Sequence, residues 1–570
     1  MVSYGNLVMT TFLFPNPPVD ELLLPNQPRL LNQLLRLRGI ENAKQAESFL
    51  HPDYNSQLHS PLLLHDMSAA CERIEAAIEA REQIAIFSDY DCDGIPGAVV
   101  LHDFFIAIGH TQFQNYIPHR HYEGFGLSEK AIDTLAADKV TLIITIDCGT
   151  ANVAEVAYAK TKGIAVIVTD HHEPEAVLPE AIAVVNPKLG EYPFQDLCGA
   201  ATVFKLAQAL LERGSYGVAP GFEKWWLDMV GVATIADMVP LVGENRVFAH
   251  YGLQVLRKSR RPGLQKLLQK AKVNQLHVTE EDVGFTIGPR INAASRMDNP
   301  EDAFYMLAEK DEVKAGERVA HLEELNTRRK TMVATMTKEL HKRLKDVVEI
   351  PAVLVFGNPQ WRPSLVGLAA NKLAEEYNRP AFIWGTDGNG VYKGSCRSGG
   401  ESSVVTLMNA IPDVFLEYGG HHAAGGFAIK DAHIFSFGEQ LNDAMKELGS
   451  EAQVTQSVEI DAELTLSEVN QFLFTQLNLL APFGIGNKKP LFAFKNVSPS
   501  TVELFGKTKE HTKLVFGTEN GQLEAIAFFQ TPEGFTKTPV VDVPHTLIGH
   551  AEQSFFMGRM QTRVRIVDII

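Results

Sequence analysis

Residues Ile164 to Pro174 read Ile-Ala-Val-Ile-Val-Thr-Asp-His-His-Glu-Pro. An apolar, largely β-branched run ends in an acid and two imidazoles. That is the pattern of a strand buried on both faces that delivers polar groups at its C-terminal end. In open α/β sheets that edge is where ligands bind. Asp170, His171 and His172 are metal-ligand types set side by side. A strand end followed by a polar turn is the plainer alternative.

Two more stretches repeat the design. Ile84-Ala-Ile-Phe-Ser88 runs into Asp89-Tyr-Asp91-Cys-Asp93-Gly94, and Thr141-Leu-Ile-Ile-Thr-Ile146 runs into Asp147-Cys148-Gly149. In extended chain Asp89, Asp91 and Asp93 share one side, where three like charges repel unless a cation neutralises them. An acidic Asx turn competes with that explanation. A calcium EF-hand does not, because no Glu follows at the required spacing. If the three strands are parallel, their acids converge on one sheet edge, with Ser128–Ala137 and Ala151–Lys162 as crossover helices. A fourth acid, Asp237, ends the apolar, small-residue helix Val230–Ala236 just ahead of Pro240. A charge there is costly unless it is paired or metal-bound. Carboxylates with imidazole, and no closed set of thiolates, suit Mn²⁺ or Mg²⁺ better than structural zinc. Two such ions ~3.5–4 Å apart activate water and stabilise both oxygens of a phosphoryl displacement. The residues alone therefore point to a two-metal phosphoesterase.

The bulk properties agree with a soluble enzyme. At 570 residues the chain is too long for one core and should form about two to four domains. Apolar content of 45% and charged content of 21% are globular values. No apolar run is long enough for a membrane helix, and the start lacks a signal-peptide pattern. The five cysteines are scattered without a C-x-x-C, which argues against disulfides and structural zinc and fits a reducing cytoplasm. A net charge of −17 means that any nucleic-acid channel must be locally basic.

Along the chain, residues 1–60 read as a small helical region, with helical spacing from Pro28 to Leu50. A helix follows over Met67–Arg81. The loop Pro118-His-Arg-His-Tyr-Glu-Gly-Phe-Gly126 mixes bases, aromatics and glycines, and either guides single-stranded bases or is an ordinary loop. No acid occurs from Tyr251 to Lys272, while Arg257, Lys258, Arg260, Arg261, Lys266, Lys270 and Lys272 do. That stretch is a phosphate-tracking surface or a solvated helix face. Helical periodicity runs from Asn299 to about Val348. A second α/β unit starts at Pro351–Phe356 and carries Gly394-Ser-Cys-Arg-Ser398 and Gly419-Gly-His-His-Ala-Ala-Gly-Gly-Phe427. Such glycines let backbone amides approach an anion, and Ser395 and Arg397 can hold phosphate oxygens. Beyond about residue 450 the period shifts to two, as expected for a small β-barrel.

Taken together, these stretches resemble the DHH phosphoesterase superfamily, whose eponymous triplet is Asp170-His171-His172 here. Asp89–Gly94 is similar to its first motif, Asp147-Cys-Gly149 to its second and Ala236-Asp237-Met-Val-Pro240 to its fourth. Within the superfamily the chain is most similar to the RecJ single-stranded-DNA exonucleases. Leu197-Cys-Gly-Ala200 ahead of the helix Val203–Leu210, Pro289-Arg-Ile-Asn-Ala-Ala-Ser-Arg296, and the linker-like Ala481-Pro-Phe-Gly-Ile-Gly-Asn487 carry that likeness. Five positions depart from the family pattern: Ile95-Pro96 replaces a Thr-Ser-like pair, Ser295 a Gly, Arg362 a His and Ser364 a Gly.

The resemblance implies an α/β architecture. A parallel-sheet DHH catalytic domain (61–310) follows the N-terminal region (1–60) and is joined by a long helix (311–348) to a smaller α/β DHH-associated domain (349–448). An OB-like β-barrel with its linker (449–570) completes it. It implies two Mn²⁺ or Mg²⁺ ions held by Asp89, Asp91, Asp93, Asp147, His171 and Asp237, with His172 beside the scissile phosphate. It implies substrate binding by Arg290, Asn292, Arg296, Ser395, Arg397, Ser398 and His421. The implied activity is 5′-to-3′ release of mononucleotides from single-stranded DNA, in repair and recombination. The implied protein is a cytoplasmic monomer, with a single-strand-binding protein or a helicase as protein partner. A phosphodiesterase for short oligonucleotides or cyclic dinucleotides is the enzyme alternative, and an inactive DNA-binding scaffold the non-enzyme one. Residues 450–570 argue against the former, and the complete set of acids and histidines against the latter.

Overall fold

In the computed structural model, residues 9–14, 22–214, 216–345, 347, 349–386, 391–400, 402–449, 455–519, 521–556 and 559–570 are described. Parts of the Leu- and Pro-rich opening, 1–8 and 15–21, lie outside them. The chain divides into two compact units. One comprises Glu47–Arg329 with Leu480–Lys488; the other comprises Met1–Ala46, Lys330–Leu479 and Lys489–Ile570.

The first unit is built on five parallel strands in the order Phe113–Tyr116, Ile84–Ser88, Leu142–Ile146, Ala165–Thr169, Ala183–Val185. The three strands anticipated from acid-terminated apolar runs are adjacent at its centre. Ile84–Ser88 and Leu142–Ile146 are buried along their whole length, because helices cover both faces. The crossovers are Gly94–Ala107, Glu129–Ala137 and Val153–Thr161. Ser128, expected inside the second of these, is its N-cap, and its hydroxyl accepts from the Ala131 amide. The order in which strands are added reverses between Ile84–Ser88 and Leu142–Ile146, the place where open sheets form their crevice. Pro96 is the third residue of its helix, where no intrahelical acceptor awaits an N–H, so the departure at this position leaves the helix intact.

The same unit holds Gly199–Arg213, Leu227–Ala236, Gly243–Leu256 and Pro262–Ala271. The basic stretch falls on the end of the third of these and on the fourth. It is not one solvated face: Arg261 is buried, bound to Asp228 and Asp103 at 2.9 and 2.7 Å. Arg257 donates to the Val278 carbonyl. The linker Leu480–Lys488 is held by this unit, with Arg246 Nη1 donating to the Leu480 carbonyl and the Leu241 amide to the Ile485 carbonyl.

The second unit contains a five-stranded sheet, ordered Phe415–Gly420, Ala424–Ile429, Tyr392–Arg397, Ala381–Thr386, Leu354–Gly357. Only the last pair is parallel. Its core packs Phe382, Phe415, Phe427 and Phe437 together. The expected β-rich C-terminus forms a seven-stranded sheet from Ala462–Glu463 to Arg559–Ile569, an OB-like fold. The helical stretch anticipated from Asn299 to about Val348 is Glu301–Ala308 followed by the 34-residue Glu312–Lys345, which contains the boundary between the units. The N-terminal region is not purely helical. Besides Arg29–Leu37 and Ala43–Leu50 it contains the strand Met9–Leu13, paired in parallel with Thr455–Glu459.

Candidate metal centre

Register explains why the acids meet. Ser88 lies opposite Ile146, Ile146 opposite Thr169, and Thr169 opposite Val185. The next residues are Asp89, Asp147, Asp170 and Asn186, so four polar side chains leave the sheet in one row. Asp147 does so with a positive φ of 61°. Asp237 arrives from the end of Leu227–Ala236 as the residue after its last turn.

Three adjoining groups result. Asp89, Asp91 and Asp147; Asp147, His171 and His172; and Asp93, His171 and Asp237 each bring ligand atoms within 4.8 Å of one another. His171 Nε2 stands 3.2 Å from Asp147 Oδ1, 3.7 Å from Asp93 Oδ2 and 3.8 Å from Asp237 Oδ2. Buried Asp89 Oδ1 and Asp147 Oδ1 have no hydrogen-bond partner. Orphaned buried carboxylate oxygens beside an imidazole are the donor set of a hard divalent cation. Shared Asp147 and His171 let the set hold two.

The electrostatics point the same way. Burial, and then the neighbouring aspartates, push the Asp89 and Asp147 carboxyls well above the usual range. The same causes raise Asp237 to about 9. Burial also raises Asp93 and lowers His171. Like charges this close are costly without a cation.

The surrounding chain holds these groups in place. Asp93 accepts from the Gly199 and Ala200 amides at 2.6 and 2.7 Å, using the free N–H groups of Gly199–Arg213. Gly199 has to be glycine: a Cβ there would sit 2.5 Å from Asp147 Cβ. This is the physical content of the Leu197-Cys-Gly-Ala200 likeness. One Asp91 oxygen accepts from the Asp93 and Gly94 amides. The Asx turn weighed against a metal role for Asp91 therefore exists alongside the acidic cluster.

Asp170, outside the implied ligand set, is occupied by donors of the chain. Its Oδ2 accepts from the Thr150 amide, and its Oδ1 accepts from the His171 and His172 amides and binds His172 Nδ1 at 2.8 Å. It belongs to none of the three groups. Burial works to raise its pKa, but the His172 contact and the Thr150 bond outweigh this and hold it below the usual carboxylate range. His172 shows the counterpart: burial lowers its pKa, Asp170 raises it further, and the net shift is upward. Asn186, not anticipated, donates to the His172 carbonyl and to Thr150 Oγ1. Its signal was present, an apolar strand Ala183–Val185 ending in an amide, but that strand is only three residues long.

The other expected residues are distributed as follows. Asn292 accepts the Cys92 amide at 2.9 Å and so braces the first acidic loop. Arg290 is a fork on Glu323 at 2.6 and 3.2 Å, and its third nitrogen donates to the Thr286 carbonyl. The Arg296 charge acts on Tyr90, between Asp89 and Asp91. In the other unit, Arg397 Nη1 donates to Ser395 Oγ, which in turn donates to the Gly425 carbonyl. The Ser398 amide donates to the Ala423 carbonyl and the His421 amide to the Ala424 carbonyl, so strand pairing gathers all four. They and the acidic cluster lie in different units.

Three family domains match the chain. The DHH family N-terminal domain matches residues 83–234, the DHHA1 domain residues 349–453 and the RecJ OB domain residues 460–568. The chain is 34% identical to the single-stranded-DNA-specific exonuclease RecJ of Bacillus subtilis, over 88% of this chain and 63% of that protein. It is 31% identical to the protein of the same name from Haemophilus influenzae, over 88% of this chain and 89% of that one. It thus spans under two thirds of the first relative and most of the second. A crystal structure of RecJ in complex with Mn²⁺ from Thermus thermophilus matches with a TM-score of 0.81 at 27% identity, covering 99% of this chain and 80% of that one. The Mg²⁺ complex gives 0.75 at 25% identity, over 99% and 78%. Because three family domains follow one another in order and a relative is matched along nearly its whole length, the chain belongs to the RecJ family of DHH proteins.

Proposed function

We propose that the chain is a Mn²⁺- or Mg²⁺-dependent exodeoxyribonuclease that removes mononucleotides from the 5′ end of single-stranded DNA, in repair and recombination. The observation that carries this is the set of three adjoining carboxylate–imidazole groups on one sheet edge. The relatives are named for the activity, and RecJ structures hold Mn²⁺ or Mg²⁺. The OB domain supports a polymeric strand over a dinucleotide, since such folds bind single strands by stacking and backbone charge.

Asp89, Asp91, Asp93, Asp147, His171 and Asp237 would hold two ions. Divalent ions bound there supply Lewis acidity, lowering the pKa of water and drawing charge off phosphoryl oxygens. The remaining work belongs to the chain. Asp170 holds His172 by Nδ1, leaving Nε2 of this half-exposed ring for a phosphate oxygen. Arg290, Asn292 and Arg296 share the helix Gly288–Met297 and are proposed to meet the strand, with Glu323 steadying the Arg290 guanidinium. Ser395, Arg397, Ser398 and His421 are proposed to take the terminal phosphate, as a charge-assisted cluster can. The proposed divisions are 1–60, 61–310, 311–348, 349–448 and 449–570. A cytoplasmic location, a monomeric state, and a single-strand-binding protein or helicase as partner come from the family likeness. Among the described residues no helix is long and apolar enough to cross a membrane.

The test is cleavage of one labelled single-stranded oligonucleotide in Mn²⁺, with its 5′ end free or blocked. Stepwise mononucleotide release from the free end alone is expected. Release from the 3′ end, or internal cutting of the blocked strand, would contradict the proposal.

A further inference from the structure

The segment Leu480–Lys488 belongs to the first unit, although the residues on either side of it belong to the second. Its own bonds make it a firm loop. Asn487 is fully buried and donates from Nδ2 to the Leu480 carbonyl at 2.7 Å and to the Pro482 carbonyl at 2.8 Å. The Gly484 and Asn487 main chains exchange two bonds, at 2.9 and 3.1 Å. Buried Arg246 donates to the Leu480 and Ala481 carbonyls at 3.0 and 3.2 Å.

This loop lies against Pro240–Val242, which begins three residues after Asp237. The Ile485 carbonyl accepts the Leu241 amide at 2.7 Å. Gly486, at φ 73°, lies so close that a Cβ would meet Pro240 Cβ at 3.3 Å and Val242 Cγ1 at 3.4 Å. The stretch braced in this way is short and strained. Asp237 follows the helix Leu227–Ala236, and Gly243 starts the next helix. Between them Met238 holds a left-handed φ of 61°, with its side chain 66% exposed. A non-glycine residue keeps such a conformation only where its surroundings impose it. An exposed side chain contributes little to that. The constraint comes from further along the stretch, where the Ile485 carbonyl holds Leu241 and Asn245 donates to the Pro240 carbonyl at 3.1 Å.

Asp237 enters only one of the three ligand groups, with Asp93 and His171. Asp89, Asp91 and Asp147 form a group without it. Releasing Asp237 therefore weakens one cation position and spares the other. We propose that the loop Leu480–Lys488 is a positioning element of the metal centre, which fixes Asp237 as a ligand by bracing Pro240–Val242. This rests on the two-ion reading above.

The experiment is a calorimetric titration of Mn²⁺ into the full chain, stripped of metal by a chelator, with a thermal midpoint for each protein. Wild type is compared with Asn487→Ala, which frees two carbonyls of the loop, and with Gly486→Ala, which pushes the loop off Pro240 and Val242. Each loop variant is expected to weaken one of two Mn²⁺ affinities by about 10- to 100-fold, the usual effect of losing groups that orient a ligand, and to leave the other unchanged. Glu82→Gln, which removes a salt bridge away from the loop, should keep both affinities. Cleavage by the loop variants should need correspondingly more Mn²⁺ and recover when Mn²⁺ saturates. Equal weakening of both affinities, or of neither, would overturn the bracing role while leaving the two-ion reading intact. A wild-type chain that binds fewer than two Mn²⁺ would overturn both.

Discussion

Asp170 shows how much of a single residue is legible in a sequence. Its position at a strand end beside two histidines was readable, because the apolar run before it is local. Its partners were not, since the Thr150 amide comes from another strand's loop. Its oxygens are occupied by donors, while Asp89 and Asp147 each keep an orphaned one. Asn292 is a similar case: its motif marked it, but its bond to the Cys92 amide joins segments far apart in sequence. The expected consequence is specific. Asp170→Asn should keep the fold and lower kcat/KM by about 10- to 100-fold, the usual cost of losing a group that orients a functional imidazole. Rates with Mn²⁺, measured beside a thermal midpoint, check this; an unchanged rate would deny the orienting role.

At the scale of elements, the central strands were the most legible part, because burial on both faces forces unbroken apolar runs. The acids at their ends follow from that geometry. Helix ends were readable only to within a residue or two: the expected Met67–Arg81 is Met67–Glu79. The strand Met9–Leu13 was missed because its partner, Thr455–Glu459, lies near the other end of the chain. Pairing within the basic stretch was not legible for a related reason: Arg261 faces two acids contributed by other helices.

The buried ion pair Lys205–Glu244, at 2.6 Å, links Gly199–Arg213 to Gly243–Leu256 and also receives the Tyr192 hydroxyl and the His59 amide. Lys205→Met leaves a buried carboxylate without its counter-ion and should cost about 3–5 kcal/mol. A clear fall in the thermal midpoint, partly restored by adding Glu244→Gln, is the expected result. Glu82 receives both Arg73 nitrogens and Thr141 Oγ1, and the Arg73 bonds hold its carboxyl below the usual range. A depressed folded-state pKa contributes stability above the unfolded value, about 4.3, and loses it as pH falls further. Glu82→Gln should therefore lower the thermal midpoint at pH 7 and differ little from wild type near pH 3.

At the scale of the whole molecule, a net charge of −17 did not advertise a nucleic-acid partner, although part of the acid content is gathered in the cluster at the sheet edge. The order of the domains was legible because each carries its own periodicity, parallel-strand runs first and period-two strands last. The assembly of the first 46 residues with the C-terminal half was not, since no local pattern records it. One cluster, built from four sequence-distant motifs, carries the proposed hydrolysis. Its most direct test is Mn²⁺-dependent mononucleotide release from single-stranded DNA by wild type, Asp147→Ala and His171→Ala, each with its thermal midpoint. Both variants are expected to stay folded and to lose cleavage and the dependence on Mn²⁺ together. A folded Asp147→Ala that still releases mononucleotides at the wild-type rate would contradict the account.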